Sequence, residues 1–600
     1  MRLSWICFVI SSFAFIFLFA KQYRVQVPAV GGTYTEAIVG SPQRINPIFA
    51  SVNDVDVDLT RLIFSGLMRY DETQHLVPDI AEAYTVSEDK KVYTFQLRHN
   101  VLWHDGQPLT AADVVFTIQT IQDPSVESPL LVTFQGVDVR AIDDYTVEFR
   151  LREPFTPFVS SLTVGIIPEH VWTNVTPDQM RLHNYNLQPT GSGPYQFNRL
   201  SKNGGYVYRY ELKRADNFYR QSPYIQDVVF QFFSSYDGTS GAIEALRENK
   251  VDGLSFVPHE LTDRVQRKNI SLHTLRLPQY TALFFNQHHA PILKETIVRK
   301  ALEQALDKER ILQQAINGEG KVIDGPILSQ SPEGGASGTT TPFMVDEANA
   351  TLDTLWERVP LETYRALRRA ALIHEWQVSV QGTASGTVKL VTEDTATTTI
   401  PAEVEKNITD QLLAELREPQ TFYRKDKNGT IITLTIVTAD TPEYRQAAKQ
   451  IASSWEEIGI STKVQLVNRK DVSRLVLKGR DYDVLLYGAV VGSDPDQYPF
   501  WHSSQVDFPG LNLAQYVNKD VDTLLERART GGTPDEVAEI YKKIQARIFE
   551  DRPAIFLYTP TYTYATSNIV FGSTVKQIFT PADRFADVPN WYIKTTGKWK

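Results

Sequence analysis

Cysteine is nearly absent from this chain, because Cys7 is the one cysteine among 600 residues. A disulfide bond within the chain is therefore impossible, and so is a zinc site built from cysteine ligands. Cys7 lies inside an apolar amino-terminal run, which also excludes a catalytic thiol. The residues around it lack the preceding leucine and the following small residue of a lipoprotein attachment site.

A surplus of positive charge is also missing. Lys and Arg number 61 against 71 Asp and Glu, which gives a net charge of −10. Nucleic-acid binding needs clustered Lys and Arg, so we expect no nucleic-acid partner. With 42% hydrophobic and 22% charged residues the composition is that of a globular protein. A chain of this length is too long for one core, so we expect two or three lobes.

The sequence signatures of hydrolases are missing too. The chain contains no Gly-x-Ser-x-Gly and no His-Glu-x-x-His, and His374-Glu375 lacks the second histidine of a metalloprotease helix. His288 and His289 are sequence neighbours whose side chains point apart, with no third ligand nearby. We expect no enzyme activity, no metal and no cofactor, and a secreted hydrolase is the least favoured alternative.

A glycine-rich segment, residues 190–195, does not fit a phosphate-binding loop. Pro194 follows Gly193, a predicted strand comes next rather than a helix, and no Lys-Ser/Thr pair is present. The glycines are instead expected to permit a tight crossing of the chain between lobes.

One long hydrophobic run stands at the amino terminus. Residues 3–20 are apolar except for three serines, and this length just suffices to cross a bilayer. No clear small-x-small cleavage site follows. We expect an uncleaved membrane anchor within residues 1–24, with a cleaved signal peptide as the alternative. Residues 27–30 then look like a short spacer.

The most informative stretch is residues 91–118, KVYTFQLRHNVLWHDGQPLTAADVVFTI. Tyr93, Phe95 and Leu97 alternate with polar residues, which predicts a half-buried strand. Asp105-Gly106 predicts a tight turn. Thr110 with Asp113 predicts a capping box at the start of a helix. The unit is therefore strand, turn, tryptophan, turn and capped helix.

This stretch resembles the signature of extracellular solute-binding proteins of family 5. These are the dipeptide, oligopeptide and nickel type, which feed membrane transporters of the ATP-binding-cassette (ABC) class. Weaker matches to the family's pattern occur at residues 41–47, 64–71, 78–84, 168–171, 190–195, 299–311, 492–502 and 552–558.

The resemblance implies an α/β, two-lobed periplasmic-binding-protein-like fold of type II, with a third, smaller α+β domain and an insertion particular to this chain. Lobe I would combine residues 31–55, 190–276 and 555–600, and the extra domain would cover residues 56–189. Lobe II would cover residues 277–554, with the insertion at about 329–400. A hinge is expected near residues 277–285 and 552–558.

The predicted elements of lobe II indicate an α/β lobe independently of the resemblance. Strands at 431–437, 460–467 and 482–488 alternate with helices at 442–458 and 472–478. We also predict one long helix at 299–316 and a helical part at 352–375 within the insertion. Ligands of such sheets approach the carboxyl ends of the strands, which indicates Tyr487, Gly488 and the loop that follows.

That loop yields the main candidate for ligand binding. Oligopeptide-binding relatives hold the peptide's amino group with an Asp four residues before the loop's proline, and that position is Val491 here. Asp494 is the candidate substitute. Tyr487 and Trp501 are predicted cleft walls, Asn46 the opposite wall, and Tyr558 a residue on the hinge side.

The function implied by the resemblance is that of an extracytoplasmic receptor of an ABC importer. It would capture a solute, with peptide favoured over a metal chelate or sugar, and deliver it to a membrane permease. We expect a monomer on the outer face of the cell membrane, or in the periplasm if the segment is cleaved. A surface-anchored sensor or adhesive protein on the same fold is the alternative.

Overall fold

The computed structural model describes residues 24–155, 158–328, 340–381, 400–415, 421–469, 471–491 and 496–599. The predicted anchor and Asp494 lie outside these ranges. Within them, no helix combines the length and the apolar character that a membrane span requires.

The first elements of the chain are two strands and a helix: β1 (Arg24–Ala29), β2 (Thr33–Val39) and α1 (Asp54–Ile63). β1 pairs antiparallel with the last strand of the chain, β22 (Lys594–Trp599). The spacer predicted at 27–30 is therefore wrong, since most of it is strand. Its partner lies at the other end of the sequence, so no local pattern indicates it.

The next section of the chain folds into a small α+β unit around an antiparallel sheet in the order β5-β6-β8-β7. Its elements are β3 (Met68–Tyr70), β4 (Leu76–Pro78), β5 (Ala81–Val86), β6 (Val92–Leu97), α2 (Ala111–Gln122), α3 (Leu131–Phe134), β7 (Asp138–Asp143), β8 (Thr146–Arg150), α4 (Phe158–Ser161), α5 (Glu169–Trp172) and α6 (Pro177–Met180).

The predicted unit at 91–118 is present as expected. Tyr93, Phe95 and Leu97 point into the core, and the Thr110–Asp113 capping box begins α2. Asp113 also accepts a hydrogen bond from the backbone N–H of Glu169, so the same carboxylate caps α2 and holds α5.

The glycine-rich segment lies against the end of α1. A Cβ on Gly191 would come within 2.0 Å of the Ile63 carbonyl oxygen, so a side chain has no room there. His104 fixes the crossing: its Nδ1 accepts from the Gly191 N–H and its Nε2 contacts the Gly193 carbonyl at 3.0 Å. Burial lowers the pKa of the His104 imidazole to about 4, so the ring is neutral.

The chain then completes the first half of a large sheet. The elements are β9 (Tyr195–Asn203), β10 (Tyr206–Arg214), β11 (Asp227–Phe233), α7 (Ala242–Arg247), β12 (Gly253–Leu254), α8 (Thr262–Val265) and β13 (Ile270–Arg276).

The second half of the sheet and its helices follow. They are β14 (Gln279–Phe285), α9 (Thr296–Gln304), α10 (Lys308–Ile316), β15 (Gly320–Val322), α11 (Val345–Asp353), β16 (Glu357–Pro360), α12 (Leu361–Gln381), α13 (Ala402–Glu415), β17 (Phe422–Lys425), β18 (Thr433–Ala439), α14 (Pro442–Glu457), β19 (Ser461–Val467), β20 (Val484–Val490), α15 (Tyr498–Trp501), α16 (Lys519–Thr530), α17 (Pro534–Asp551) and β21 (Ala554–Ser567).

The large sheet runs in the order β19-β18-β20-β14-β21-β12-β2-β11-β10-β9, with β13 and β15 also paired to β21. Separate apolar cores cover its two halves. One core joins β2, β10 and β11 to the α+β unit, and two others lie on the opposite faces of β14, β18 and β20. The two halves are two lobes, and β21 passes through both.

Three predicted helices in lobe II differ from the observed ones. The helix predicted at 299–316 is two helices, because Asp307 accepts a hydrogen bond from the Arg310 N–H and begins α10 anew. The part predicted helical at 352–375 contains a strand, β16, whose partner β17 lies far along the chain. The predicted short helix at 472–478 is a π-helix, Val472–Leu477.

The described part of the insertion packs on lobe II through a buried arginine. Arg424 has no exposed surface, and its guanidinium donates to the Asp353 carboxylate at 2.8 Å and to the Ile458 carbonyl at 2.7 Å. This contact joins the carboxyl end of α11 to the turn that follows α14. The insertion is therefore tied to the lobe at its base.

Candidate functional site

The strand directions of the two lobes bring six carboxyl ends to one place. β2, β11 and β12 are mutually parallel, and β12 is antiparallel to the second half of β21. β18, β19 and β20 are mutually parallel and share the direction of the first half of β21, since β14 is antiparallel to both β20 and β21.

Because β21 runs from lobe II into lobe I, both sets of carboxyl ends point toward the crossing between the lobes. Ligands of open α/β sheets bind beyond the carboxyl ends of the strands. The space between these two facing edges, called the interlobe cleft below, is therefore the candidate site.

Aromatic side chains form the lobe I wall of the interlobe cleft. Tyr236 follows β11 and Phe256 follows β12, and their ring centroids lie 6.0 Å apart. The Phe256 ring is 5.4 Å from that of Tyr562 on β21. The Tyr562 hydroxyl donates to the Ser255 carbonyl, which fixes this ring in place.

Two tyrosines, Tyr444 and Tyr487, form the lobe II wall, and a third, Tyr558, is buried with 1% of its surface exposed. Tyr444 lies in the first turn of α14, Tyr487 in β20 and Tyr558 in β21. A Cβ on Gly488 would lie 2.4 Å from the Tyr444 hydroxyl, so only glycine fits beside this ring. Burial raises the pKa of Tyr444 and of Tyr558. These phenols are neutral, so each can donate a hydrogen bond.

Opposite charges stand on the two walls. Arg469 follows β19 on lobe II and is exposed, and Asp54 is exposed in the first turn of α1 on lobe I. Burial raises the pKa of Tyr236 to about 12, and Asp54 acts in the same direction while Arg469 opposes it. Arg469 also opposes the rise that burial causes in the pKa of Tyr487. The Arg469 guanidinium thus acts to lower the pKa of one tyrosine on each wall, Tyr236 on lobe I and Tyr487 on lobe II.

The hinge side of the cleft consists of the two crossings. β13 leads through Leu277-Pro278 into β14, while β21 continues through Pro560. Beside them the Glu319 carboxylate, just before β15, contacts three lobe I side chains: His259 Nδ1 at 2.9 Å, Thr262 at 2.8 Å and Thr563 at 3.2 Å.

The open side of the cleft is bridged by the α+β unit. The guanidinium of Arg529, in α16, lies 5.2 Å from the centre of the Phe155 ring. It also stacks 3.7 Å from the Tyr498 ring and pairs with Asp496 at 2.7 Å. The Lys90 ammonium donates to the Thr530 carbonyl at 3.2 Å. Contacts between the two lobes therefore border the cleft on the hinge side, and contacts between lobe II and the α+β unit border it on this side.

The predicted site residues fall in three different environments. Tyr487 lies on the lobe II wall, whereas Tyr558 is buried in the lobe II core. Trp501 is fully buried, 6.2 Å from the Phe284 ring, in the core behind the sheet. Asn46 is also buried, and its amide donates to Asn186 at 3.1 Å. Asp494 lies outside the described residues. Ligand contact by these residues remains a prediction.

Tyr236, Phe256 and Arg469 are not among the site residues predicted from the sequence. Each lies two or three residues beyond the end of a strand. The carboxyl-end rule indicates these three positions when it is applied to β11, β12 and β19 as well as to β20. The aromatic character of two of them supplies an additional signal.

The paired histidines sit away from this cleft. His289 contacts Asp483 through Nδ1 at 2.7 Å and Asp481 through Nε2 at 2.9 Å. The hydrogen bond to Asp483 raises the pKa of the His289 imidazole. Over the described ranges no group of three or more His, Cys, Asp or Glu is arranged to hold a metal ion.

Comparison with known proteins connects this architecture to a family. Residues 75–360 match the model of bacterial extracellular solute-binding proteins, family 5. The chain is 24% identical over 541 residues to the oligopeptide-binding protein AppA of Bacillus subtilis, covering 89% of this chain and 87% of AppA. It is 23% identical over 550 residues to the dipeptide-binding protein of Escherichia coli, covering 86% and 87%.

Solved structures share the fold. AppA from Bacillus subtilis in complex with a nonapeptide aligns with a TM-score of 0.67 at 22% identity, over 95% of this chain and 100% of that one. NikZ from Campylobacter jejuni in complex with Ni(L-His) aligns with a TM-score of 0.68 at 22% identity, over 93% and 99%. The predicted two-lobed α/β fold is confirmed.

Proposed function

We propose that this chain, which matches the bacterial extracellular solute-binding proteins of family 5 over residues 75–360, is the receptor of an ABC importer that captures a peptide-like solute in the interlobe cleft. The observation that carries this proposal is the pair of facing carboxyl edges, one lined by tyrosine and phenylalanine and the other by tyrosines. The relatives named above are oligopeptide- and dipeptide-binding proteins, which favours peptide over other solutes.

The walls suit an extended peptide. Neutral phenols of Tyr444 and Tyr487 can donate to peptide carbonyl groups, and the rings of Tyr236 and Phe256 offer apolar area to side chains. Tyr487 is our proposed wall residue, and Tyr558 is proposed on the hinge side. Asp494 is our proposed partner for an ammonium group, while Trp501 and Asn46 would support the walls from behind.

Capture would proceed by closure of the two lobes. Leu277-Pro278 and Pro560 are the proposed bending points, because the crossing strands change lobe there. The contacts of Arg529 with Phe155 and of Lys90 with Thr530, between lobe II and the α+β unit, would form as the cleft closes. The domain boundaries 31–55, 190–276 and 555–600 for lobe I, 56–189 for the extra domain and 277–554 for lobe II are part of the same proposal.

The remaining proposals concern the setting of the receptor. Its permease partner lies in the membrane, the amino-terminal run anchors the chain on the extracytoplasmic face, and the protein acts as a monomer without catalysis. These follow from the family and from the apolar run at 3–20.

Native mass spectrometry of the gently purified protein, before and after denaturation, tests this function. We expect a set of short peptides to be released. Release of a single non-peptide species would indicate a different class of solute and would leave the receptor function in place. A protein that is empty and also shows no thermal shift with a peptide library would contradict peptide capture and favour the sensor alternative.

A further inference from the structure

Arg469 differs from the other charged residues that follow the carboxyl ends of the strands. Asp237, after β11, pairs with Arg264 at 2.5 Å, and Asp440, after β18, pairs with Arg445. For Arg469, no carboxylate in the described ranges forms an ion pair, and the side chain is exposed. The lobe II edge of the cleft therefore holds a cation with no neutralising partner among those residues.

The strand register places this cation inside the cleft. Val467 lies beside Ala439 in the parallel pair of β19 and β18, and the Asp440 N–H donates to the Val467 carbonyl at 2.8 Å. Arg469 follows two residues later, beyond this edge and toward lobe I. Arg469 opposes the rise in the pKa of both Tyr236 and Tyr487, which agrees with a position between the walls.

Neighbouring groups favour an anion at the same place. The 16-residue helix α14 begins at Pro442 on this edge, and the positive end of its dipole faces the cleft. The Thr441 hydroxyl, at the helix start, is buried and has no hydrogen-bond partner within the described part of the chain. A guanidinium, a free hydroxyl and a helix amino terminus form a donor set suited to a carboxylate.

The opposite wall is unsuited to an anion. The exposed carboxylate of Asp54, in the first turn of α1, acts on Tyr236, whereas the other α1 carboxylate that acts on this ring, Asp58, is paired with the buried Arg584. A carboxylate held near lobe I would therefore meet like charge, whereas one held near lobe II meets Arg469. This asymmetry orients a charged ligand across the cleft.

We propose that Arg469 is a specificity-determining residue that binds a carboxylate of the captured solute on the lobe II wall. The inference rests on the proposed function and deepens it, because it selects acidic or carboxy-terminated peptides over uncharged ones. The carboxylate has two possible sources, the carboxyl terminus of a peptide or an acidic side chain.

Three peptide libraries, each of three to five residues, separate these sources. The first has free carboxyl termini and contains no Asp or Glu. The second is its carboxy-amidated twin. The third is amidated and contains Glu. Each is titrated into the full-length protein and into the R469Q and R469K variants, with thermal stability and captured masses as readouts. R310Q, an exposed arginine on α10 of the same lobe, is the matched control.

We expect the wild-type protein to prefer the first or the third library over the second by roughly 10- to 100-fold, the range of a charge-assisted hydrogen bond. R469Q should lose this preference and bind the amidated library as the wild type does. R469K should keep part of it, because lysine retains the charge but not the two-pronged geometry. R310Q should match the wild type.

An unchanged preference in R469Q would overturn the assignment while leaving peptide capture intact. So would equal weakening of all three libraries in R469Q and in Asp54→Asn, since that result indicates an ion pair between the walls. Failure of the wild type to bind any library would overturn the proposed function itself, and the inference with it.

Discussion

Removing the buried guanidinium of Arg584 should destabilise lobe I strongly. Arg584 has no exposed surface and lies between two buried carboxylates. It donates to Asp58 at 2.6 and 2.7 Å and to Glu36 at 2.6 and 3.1 Å. This network joins α1, β2 and the carboxyl-terminal turn at Pro581, so it supports the strands that lead to the cleft.

The size of the effect follows from the burial of all three charges. Burial raises the pKa of Glu36 and of Asp58, and Arg584 opposes that rise for both. Arg584→Met leaves two carboxylates in a dry core without a cation, and breaking a buried pair in this way costs about 3–5 kcal/mol. An exposed arginine such as Arg140 should cost about 0–1 kcal/mol when replaced in the same way.

Hydrogen exchange read by mass spectrometry measures this locally. Amide protection in β2 and α1 should fall by roughly 150- to 5000-fold in Arg584→Met, while protection in lobe II stays unchanged. The combined variant with Glu36→Gln and Asp58→Asn should recover part of the loss, because its core no longer holds unpaired carboxylates. A single variant whose β2 protection stays within tenfold of wild type would refute the reasoning.

Three further predictions concern the glycine-rich segment at residues 190–195, a surface histidine and the hinge side of the cleft. Gly191→Ala should lower the unfolding free energy by about 1–3 kcal/mol in urea denaturation because its Cβ meets a carbonyl, whereas Gly205→Ala, in open space, should have little effect. Asp481→Asn should lower the raised pKa of His289, measured by NMR titration. His289 gains a proton on folding, so this stabilising contribution is complete below about pH 6.5 and is lost as the pH rises through the folded pKa. The difference in stability between variant and wild type should therefore vanish at alkaline pH. Glu319→Gln should lower the unfolding free energy by about 1–3 kcal/mol in thermal unfolding, since its carboxylate accepts three bonds from lobe I; an unchanged stability would show that these contacts do not join the lobes.

Local patterns predicted the local elements well. Alternation at Tyr93, Phe95 and Leu97 gave β6 its buried face, and the Thr110–Asp113 pair began α2 as a capping box. Strand and helix periods in lobe II likewise located β18, α14 and β19 within two residues. These features depend on neighbours a few positions apart, so the sequence carries them directly.

Features set by distant partners could not be predicted in the same way. β1 exists because it pairs with β22 at the other end of the chain. Trp501 looks like a cleft wall in sequence, yet packing against β14 and β21 places it in a core. The position of Arg469 near Tyr236 depends on the pairing of two lobes that are separate in sequence, which no single motif contains.

Peptide-dependent hydrogen exchange tests the central claim most directly. The full-length protein is compared with and without the three- to five-residue libraries. We predict increased protection on both facing edges at once, at residues 235–243 and 255–259 of lobe I and at residues 440–445 and 467–469 of lobe II. The outer sheet of β5 to β8 should stay unchanged. Protection confined to one lobe, or located away from these edges, would contradict capture of a peptide between the lobes.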